Sequence, residues 1–378
     1  MKRIIRILML LCIVFFISNN LLIAAPPDDH KTLAIGATAP NFNLKGVDGK
    51  MYNLSSFKAS NILVIIFTCN HCPTAQAYED RIIQLTADYK KKGVAVIGVS
   101  PNDPLSIRLD ELGYSDLGDS FEEMKIRARQ KKFNFPYLYD GATQAMSKAY
   151  GPSTTPHVFI FDKARKLRYQ GRIDDMEKPT VTPKSFDTRN AIDALLQNRE
   201  VAVQTTKVFG CSVKWAEKKD WQKKAEEEWA GEEVSLQTID ETGIKELVQN
   251  KSDKLRLINV WATWCGPCVK EFPSFVEINR MYRGRDFEFV SISADSPSNK
   301  EKALSFLKKK QASGANYLFG IDDKYKLIEA IDPKWQGALP YTILIEPGGK
   351  IVYAQQGIIN PADIKKKIVE NHLIGRVY

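Results

Sequence analysis

The sequence has no long block of basic residues, although its 378 residues carry a formal net charge of +9. Three of the positive charges, Lys2, Arg3 and Arg6, lie together at the N-terminus, and the other basic residues are mixed with acidic ones. Such a mixture is typical of a solvated surface rather than of a surface that binds phosphate backbones. We therefore expect no nucleic-acid partner.

Long hydrophobic runs are also absent beyond the N-terminus. The one such run, Ile7–Ile17, follows a short cationic start and is followed by the small residues Ala24 and Ala25. This order is typical of a secretory signal peptide, which we predict to be residues 1–25. An uncleaved anchor is the alternative, because the whole stretch is near the length that spans a bilayer. We therefore predict an exported protein that contacts the membrane only if the signal is retained.

Cysteine is scarce, and five of the six cysteines lie beyond that segment. Four of them form two closely spaced pairs, Cys69 with Cys72 in CNHC and Cys265 with Cys268 in CGPC. Closing so short a loop restricts the unfolded chain little, so these pairs would be poor structural staples. Short-loop disulfides are instead strained and exchangeable, which suits redox chemistry.

Neither pair has the histidine directly after its second cysteine that haem attachment requires, since Pro73 and Val269 stand there. A zinc site is the alternative, but it would require the two pairs to meet across the domains. The strand and helix patterns around each pair favour a redox motif over a zinc site. We therefore predict no bound cofactor and no metal.

The pattern of residues around the first cysteine pair is repeated around the second, which indicates the duplication of a whole domain. Each pair lies between an apolar run typical of a buried strand and a segment with helical spacing, and another apolar strand follows. The corresponding segments are SNILVIIF, TAQAYEDRIIQLTADYKKK and GVAVIGVS in the first half, and LRLINVWA, GPCVKEFPSFVEINRMYRG and FEFVSISA in the second. Each half later has a proline before a strand, at Pro156 and Pro340, then a short strand and a closing helix. The pattern predicts an α/β protein of two domains, each with a central mixed sheet flanked by helices.

A cysteine pair at a helix start, with a later proline before a strand, resembles the thioredoxin fold in both halves. The second unit, 234–378, resembles the TlpA-like thiol–disulfide reductases of the bacterial cell envelope through NVWATWCGPCVKEFP and ALPYTILIEPGGKIVY. The first unit, 26–213, resembles redoxins of the AhpC/TSA superfamily through GATAPNFNLKGVDGK, CNHCPTAQAYEDR and TPHVFIFD. The sequence of residues 214–233, which lie between the two units, predicts a charged linker helix. We expect this helix to dock on one domain through Trp221, Ala225 and Trp229.

The first cysteine of each pair, Cys69 or Cys265, is expected to lie at a helix N-terminus. Free N–H groups and the positive end of the helix dipole lower the pKa of a thiol there. Cys69 and Cys265 are therefore the predicted nucleophiles, and Cys72 and Cys268 are predicted to resolve the mixed disulfide.

The two residues between the cysteines are expected to tune the thiolate. His71 can donate a hydrogen bond or a positive charge to Cys69, which predicts that the first pair is the more oxidising one. The alternative is that His71 points to solvent. Gly266 and Pro267 carry no charge, and by resemblance this is the pattern of reductants.

The resemblance also implies roles for residues outside the pairs. Thr155–Pro156 and Leu339–Pro340 would be cis bonds that lie against the sulfurs and present backbone to a peptide. Trp264 is expected at the rim of the second site. Glu271 would tune that site, with an exposed helix charge as the alternative. Cys211, in FGCSVKW, is either an auxiliary thiol that pairs transiently with the first site or an inert buried cysteine.

These features together predict an exported thiol–disulfide oxidoreductase of the reductase or isomerase type, located in the bacterial periplasm or cell envelope. Its partners would be protein thiols and disulfides, and a membrane electron donor is a further candidate. One alternative is a redox-assisted chaperone or binding module. Another is a peroxide-reducing first domain with antioxidant activity, but the related peroxiredoxins use PxxxTxxC, and Ile66 stands where Cys69 would need the threonine.

Overall fold

The computed structural model describes residues 30–375, and the predicted signal peptide, residues 1–25, lies outside them. The helices of the described part are α1 (Pro73–Lys90), α2 (Phe121–Lys131), α3 (Ala145–Tyr150), α4 (Asp187–Leu196), α5 (Lys219–Ala230), α6 (Glu241–Gln249), α7 (Gly266–Tyr282), α8 (Lys300–Lys309), α9 (Lys324–Ile331) and α10 (Pro361–Glu370). Its strands are β1 (Asn43–Gly46), β2 (Met51–Asn53), β3 (Ile62–Phe67), β4 (Val94–Ser100), β5 (Tyr137–Tyr139), β6 (Thr154–Thr155), β7 (His157–Phe161), β8 (Leu167–Gly171), β9 (Cys211–Ser212), β10 (Gln237–Ile239), β11 (Leu255–Trp261), β12 (Phe287–Ser293), β13 (Ala315–Phe319), β14 (Tyr341–Glu346) and β15 (Lys350–Gln356).

The first domain is built on a seven-stranded sheet in the order β2-β1-β5-β4-β3-β7-β8. Strands β3, β4 and β5 are parallel neighbours, and the outer strands pair antiparallel. Every residue of β3 is buried, because apolar side chains cover both faces of the sheet there. A continuous apolar run is what such a doubly covered strand requires.

The second domain repeats this arrangement with a six-stranded sheet in the order β10-β13-β12-β11-β14-β15. Its fully buried central strand, β11, pairs parallel with β12 and antiparallel with β14. The predicted fold class is therefore confirmed as α/β, with two thioredoxin-like domains that each have a mixed sheet flanked by helices. We keep 26–213 and 234–378 as the proposed bounds of the two domains.

The segment between the domains contains helix α5, which contacts both of them. Ala225 and Trp229 are buried, but Trp221 is 55% exposed, so only two of the three residues expected to dock the helix are buried. The Arg280 guanidinium of the second domain lies 5.1 Å from the centre of the Trp229 ring, and Lys219 pairs with Asp103 of the first domain. The expectation that this helix docks on one domain is therefore wrong, because polar contacts extend from it to each side.

A second contact between the domains joins the end of α7 to a loop of the first domain. The Tyr282 hydroxyl donates to the Ser115 carbonyl at 2.8 Å, and Arg285 donates to the Gly113 carbonyl at 3.1 Å. Leu109 and Leu112, earlier in the loop, pack against the core cluster formed by α7, α10 and their sheet. The second domain thereby holds the loop that leads to Asp119.

Within residues 30–375, no helix has both the length and the hydrophobicity needed to cross a bilayer.

The first domain contains a buried ion pair whose loss is expected to destabilise it. Both Arg127 and Glu79 are nearly inaccessible to solvent, and they bond in two places, at 2.6 Å and 2.8 Å. Glu79→Gln should lower the free energy of unfolding by about 3 kcal/mol, because the guanidinium is left buried without its counter-charge. Chemical denaturation of the full chain measures this change.

The matched control is Glu122→Gln, which breaks the solvent-exposed pair with Lys125 on α2. That change should cost less than about 1 kcal/mol. Equal costs for the two variants would contradict the assigned role of the buried pair.

Candidate active sites

The two cysteine pairs lie at equivalent places, where a central strand is followed by a helix. Cys69 and Cys72 lie between β3 and α1, and Cys265 and Cys268 lie at the junction of β11 and α7. The second pair forms a disulfide, whereas Cys69, Cys72 and Cys211 are free thiols.

The helix begins at a different cysteine in each pair. At the second site Cys265 is the N-cap of α7, as predicted, and its Sγ accepts a hydrogen bond from the Cys268 N–H at 3.3 Å. At the first site the N-cap is Cys72, whose Sγ accepts from the Ala75 N–H at 3.5 Å. The expectation that Cys69 lies at the helix N-terminus is therefore wrong.

The position of proline explains this difference. Pro73 follows Cys72 directly, and proline disfavours the helical region of backbone space for the residue before it. Cys72 accordingly has an extended ψ of 121°, and Pro73 opens the helix, where its missing N–H costs nothing. In the second pair Pro267 lies inside the first turn of α7, which leaves Cys265 as the last residue before the helix.

In the first pair, the thiol with the lowered pKa is that of the second cysteine, which lies at the helix N-terminus, and not that of the first. Burial raises the pKa of the Cys69 thiol well above its usual value, and a hydrogen bond with Cys72 and the charge of Asp119 raise it further. Burial also acts to raise the pKa of Cys72, but hydrogen bonds from Cys211 and Cys69 and the charge of His71 outweigh it. The pKa of Cys72 is therefore well below its usual value. These pKa directions favour Cys72 as the thiolate and Cys69 as the protonated partner.

His71 lies in the protein interior, so the solvent-facing alternative is wrong. Its side chain is 2% exposed, and Nδ1 lies 2.7 Å from Oδ2 of Asp119. Burial alone would lower the pKa of His71, but the charge and hydrogen bond of Asp119 outweigh it and raise that pKa. The charge of the imidazolium lowers the pKa of Cys72, and a ring nitrogen of His71 also lies within 4.8 Å of the Cys69 sulfur. Nε2 of His71 has no hydrogen-bond partner among the described residues.

Asp119 is a central residue of this site that the sequence did not reveal. Its carboxylate accepts hydrogen bonds from the backbone N–H groups of Asn70 and His71, at 2.8 Å and 3.1 Å, and from the Asn102 side chain at 2.6 Å. Burial would raise the pKa of Asp119, but His71 and these donors lower it. The one local signal is that Asp119 precedes Ser120, the N-cap of α2, and this signal carries no link to the cysteines.

Both predicted cis peptide bonds, Thr155–Pro156 and Leu339–Pro340, are present. At the first site Oγ1 of Thr155 lies 3.2 Å from the Cys69 sulfur, and its carbonyl oxygen lies 3.3 Å from the Cys72 sulfur. At the second site Leu339 packs against the cluster that contains Cys265 and Cys268. The residue before each cis-proline thus lies against its cysteine pair.

His157, directly after Pro156, does not take part in the first site. Its Nε2 lies 2.8 Å from the Gln170 side chain, and Nδ1 accepts from the Ser153 N–H. Burial lowers the pKa of His157 to about 4, so this imidazole is neutral.

Cys211 lies within the first site and is not an isolated cysteine. Its N–H donates to the Cys72 sulfur at 3.4 Å, and the strand that carries it pairs with Thr154 and Thr155. Its hydrogen bond with the Cys72 side chain, and then burial, raise the pKa of Cys211 above its usual value. Three sulfurs therefore form one cluster with the Cys72 sulfur in contact with the other two.

The first site also contains three groups of the kind that ligate metals, but one of them is fully occupied. Ligand atoms of Cys69, His71 and Asp119 lie within 4.8 Å of one another. The Asp119 oxygens already accept four hydrogen bonds, including the one with His71 Nδ1. A cation on this carboxylate would have to displace them, so the arrangement fits thiol chemistry better than metal binding.

The two halves of the chain match different family models. Residues 35–170 match the AhpC/TSA family, and residues 233–373 match the Redoxin family. The chain is a tandem of an AhpC/TSA-family domain and a Redoxin-family domain. This finding confirms the resemblances predicted from the sequence.

Similar proteins include redox enzymes of bacteria. One is the thiol-disulfide oxidoreductase ResA of Bacillus subtilis, 30% identical over 107 residues, which are 28% of this chain and 55% of that protein. The chain therefore spans about half the length of this relative. Among solved structures, an uncharacterized conserved protein of Geobacillus kaustophilus is 36% identical, with 49% of this chain and 94% of that chain covered and a TM-score of 0.44. A thiol:disulfide interchange protein of Chlorobium tepidum is 17% identical, with 44% and 99% covered and a TM-score of 0.32.

The cysteine pair of the Redoxin domain lies beside an exposed surface, unlike that of the AhpC/TSA domain. Trp264 is 56% exposed, as expected for a rim residue, and Gly266 and Pro267 are exposed as well. In the AhpC/TSA domain, by contrast, every residue of the CNHC sequence is at most 2% exposed. A protein substrate can therefore reach the rim of the second site but not the first pair in this conformation.

Glu271 is buried beside the first turns of α7, so the alternative of an exposed helix charge is wrong. It is 6% exposed, and Oε2 accepts a hydrogen bond from the Ile359 N–H at 3.0 Å. Burial raises the pKa of Glu271 to about 7. The carboxyl group therefore changes charge near neutral pH, three residues after Cys268.

We predict that Asp119 controls the ionisation of Cys72 through His71. Asp119→Asn removes the anion that keeps His71 protonated, so Cys72 loses its neighbouring positive charge. The pH midpoint for alkylation of Cys72 should rise by about one pH unit or more. Iodoacetamide labelling of the reduced full chain over a pH series, with peptide mapping, measures that midpoint.

Asp80→Asn is the control for this experiment, because Asp80 is an exposed carboxylate on α1 that pairs with Lys131. It should leave the Cys72 midpoint unchanged. An Asp119→Asn midpoint equal to or below that of the native chain would contradict the proposed chain of charges.

We also predict that Glu271 makes stability fall as the pH rises. A carboxyl group with a pKa of about 7 in the folded protein and the usual 4.5 in the unfolded chain holds its proton longer when folded. The folded state therefore loses stability between about pH 4.5 and pH 7. Glu271→Gln should remove this loss. The free energy of unfolding of the variant, measured by urea denaturation, should therefore rise relative to that of the native chain between pH 5 and pH 8.

The exposed residue Glu329 provides the matched control. Glu329→Gln should follow the native pH dependence. A Glu271→Gln variant that loses stability in parallel with the native chain would refute the assignment.

Proposed function

We propose that this chain is a thiol–disulfide oxidoreductase with two unequal sites, of which the site of the Redoxin domain exchanges disulfides with protein substrates. The observation that carries the proposal is shared by both domains. In each, a cysteine sulfur caps the helix that follows the central strand and accepts a backbone N–H, and the residue before a cis-proline lies against the pair. This placement stabilises a thiolate, which is the reactive species in disulfide exchange.

In the Redoxin domain the proposed nucleophile is Cys265. When the pair is reduced, its thiolate attacks one sulfur of a substrate disulfide, and the other substrate sulfur leaves as a thiolate and takes up a proton. Cys268 then loses its proton and attacks the Cys265 sulfur of the mixed disulfide, which releases the second substrate thiolate. One substrate disulfide is reduced to two thiols, and the Cys265–Cys268 disulfide is formed.

In the AhpC/TSA domain we propose that Cys72 is the attacking sulfur. His71, held by Asp119, supplies the positive charge, and the α1 N-terminus supplies a backbone donor. Cys69 stays protonated against Thr155 until it is needed to resolve a mixed disulfide. Stabilising the Cys72 thiolate favours the reduced form, which supports the prediction that this pair is the more oxidising of the two.

The site of action is proposed to be outside the cytoplasm. The cationic and apolar N-terminal segment, residues 1–25, is of the kind that directs export, and an oxidising compartment allows disulfides to persist. Relatives named thiol-disulfide oxidoreductase support the reaction class. Protein thiols and disulfides of the bacterial envelope are the proposed partners, with a membrane protein as a candidate electron donor.

We predict that reduction of insulin by the full chain depends mainly on the Redoxin domain. With dithiothreitol as the source of electrons, Cys265→Ser/Cys268→Ser should lower the rate about tenfold or more, because it removes the pair beside the exposed rim. Cys69→Ser/Cys72→Ser should retain most of the rate, because the first pair is enclosed. The turbidity of the released insulin B chain measures the rate.

A trapping experiment serves as the control for mechanism. Cys268→Ser should accumulate a disulfide-linked insulin chain on Cys265, and Cys265→Ser should not. Loss of the rate in the first-pair variant, with the rate retained in the second-pair variant, would reverse the proposed division of labour.

A further inference from the structure

We propose that residues 209–213 of the AhpC/TSA domain act as a built-in peptide substrate that brings Cys211 to Cys72 as a second disulfide partner. The proposal rests on the thiol–disulfide function proposed above and adds to it a third redox thiol. Four features of the site carry it: the backbone pairing, the glycine that permits it, the anchoring of the segment and the order of the sulfurs.

The segment occupies the backbone edge on which a peptide would pair. Cys211 is the antiparallel partner of Thr155, the residue directly before Pro156, and Ser212 is the partner of Thr154. An edge of this kind can accept a strand from another chain. At the Redoxin domain the corresponding residue is Leu339, and no strand within residues 30–375 pairs with it. The first edge is therefore filled by the chain itself, whereas the second is free of such a strand.

Gly210 is required for this close approach. Its φ of +134° lies in the region that favours glycine, and a Cβ on it would lie 2.1 Å from the Thr155 carbonyl oxygen. A side chain there would have to push the segment away from the edge. The glycine next to Cys211 thus sets the distance between the segment and the cysteine pair.

The segment is anchored on both sides of Cys211. Phe209 packs against the core of the AhpC/TSA domain, with its ring centre 6.3 Å from that of Tyr78. Val213 is 1% exposed, and the Lys214 N–H donates to the Asn102 side chain at 2.9 Å. Cys211 is therefore presented at a fixed position rather than on a loose tail.

The sulfur of Cys72 is the shared member of the cluster. It accepts the Cys211 N–H at 3.4 Å and lies in one buried cluster with Cys69, against which Cys211 packs. Two alternative disulfides, Cys69–Cys72 and Cys72–Cys211, are thus available to one sulfur. In the second of these states Cys69 remains a thiol.

The exchange balances without any further oxidant. The Cys72 thiolate attacks one sulfur of an external disulfide, and the other external sulfur leaves as a thiolate and takes up a proton from solvent. Cys211 then gives up its proton and attacks the Cys72 sulfur, and the second external thiolate leaves and is protonated. The external disulfide is reduced to two thiols, and Cys72 and Cys211 are oxidised to a disulfide.

The test uses the reduced full chain with oxidised glutathione as the external disulfide. In Cys69→Ser, peptide mapping after alkylation should find the Cys72–Cys211 disulfide at about tenfold or more over Cys72 linked to glutathione. In Cys69→Ser/Cys211→Ser, the glutathione adduct of Cys72 should accumulate instead.

The outcomes separate this proposal from the function on which it rests. If Cys69→Ser keeps glutathione on Cys72 and leaves Cys211 free, the internal substrate is refuted while the reactivity of Cys72 stands. If Cys72 stays unmodified in both variants, the proposed chemistry of this site fails, and the internal substrate fails with it.

One further measurement does not depend on the folding of the serine variants, and another tests the role of Gly210. The native chain, oxidised in the same way, should yield some Cys72–Cys211 disulfide with Cys69 still open to alkylation, and its complete absence would overturn the proposal. Adding Gly210→Ala to Cys69→Ser should slow the internal crosslink about tenfold and allow the glutathione adduct to persist. An unchanged rate of crosslinking would refute the role of the paired segment.

Discussion

The placement of one proline relative to each cysteine pair is the constraint on which the rest of the molecule depends. Proline disfavours the helical conformation for the residue before it, and proline itself is tolerated in the first turn of a helix. Pro73 follows the CNHC sequence, whereas Pro267 lies inside CGPC, so α1 begins after its second cysteine and α7 begins after its first. The positive end of the helix dipole therefore acts on Cys72 in one domain and on Cys265 in the other.

The two sites consequently have different characters within the same fold. In the AhpC/TSA domain, His71 and Asp119 form a buried ion pair beside Cys72, and the chain itself covers the cysteines. In the Redoxin domain, the neighbouring carboxyl of Glu271 has a pKa of about 7, and an exposed rim gives access to the pair. The first arrangement suits exchange with small disulfides or within the chain, and the second suits exchange with proteins. The loop held by Tyr282 connects them, because it joins the end of α7 to the hydrogen-bond network around Asn70 and Asp119.

Local patterns in the sequence predicted the parts of each site that local structure determines. Short apolar runs indicate the buried strands and the helices after them, and single prolines mark the starts of the later strands. These signals depend little on distant contacts. Asp119 and Cys211 could not be placed in this way, because they meet the pair across 48 and 139 residues of chain. The burial of Glu271 was missed for the same reason, since its cover comes from the segment at Ile359. The helix start at Pro73 was available from the sequence, and the order of the cysteines obscured it.

The order in which the first pair loses its protons tests the account most directly. Titration of the reduced full chain with 13Cβ-labelled cysteine, followed by NMR, reports each thiol separately. The account predicts that Cys72 ionises first and at a pH well below that of a free cysteine, while Cys69 remains protonated beyond it. Ionisation of Cys69 before Cys72 would contradict the account, because the thiolate would then lie away from the helix N-terminus.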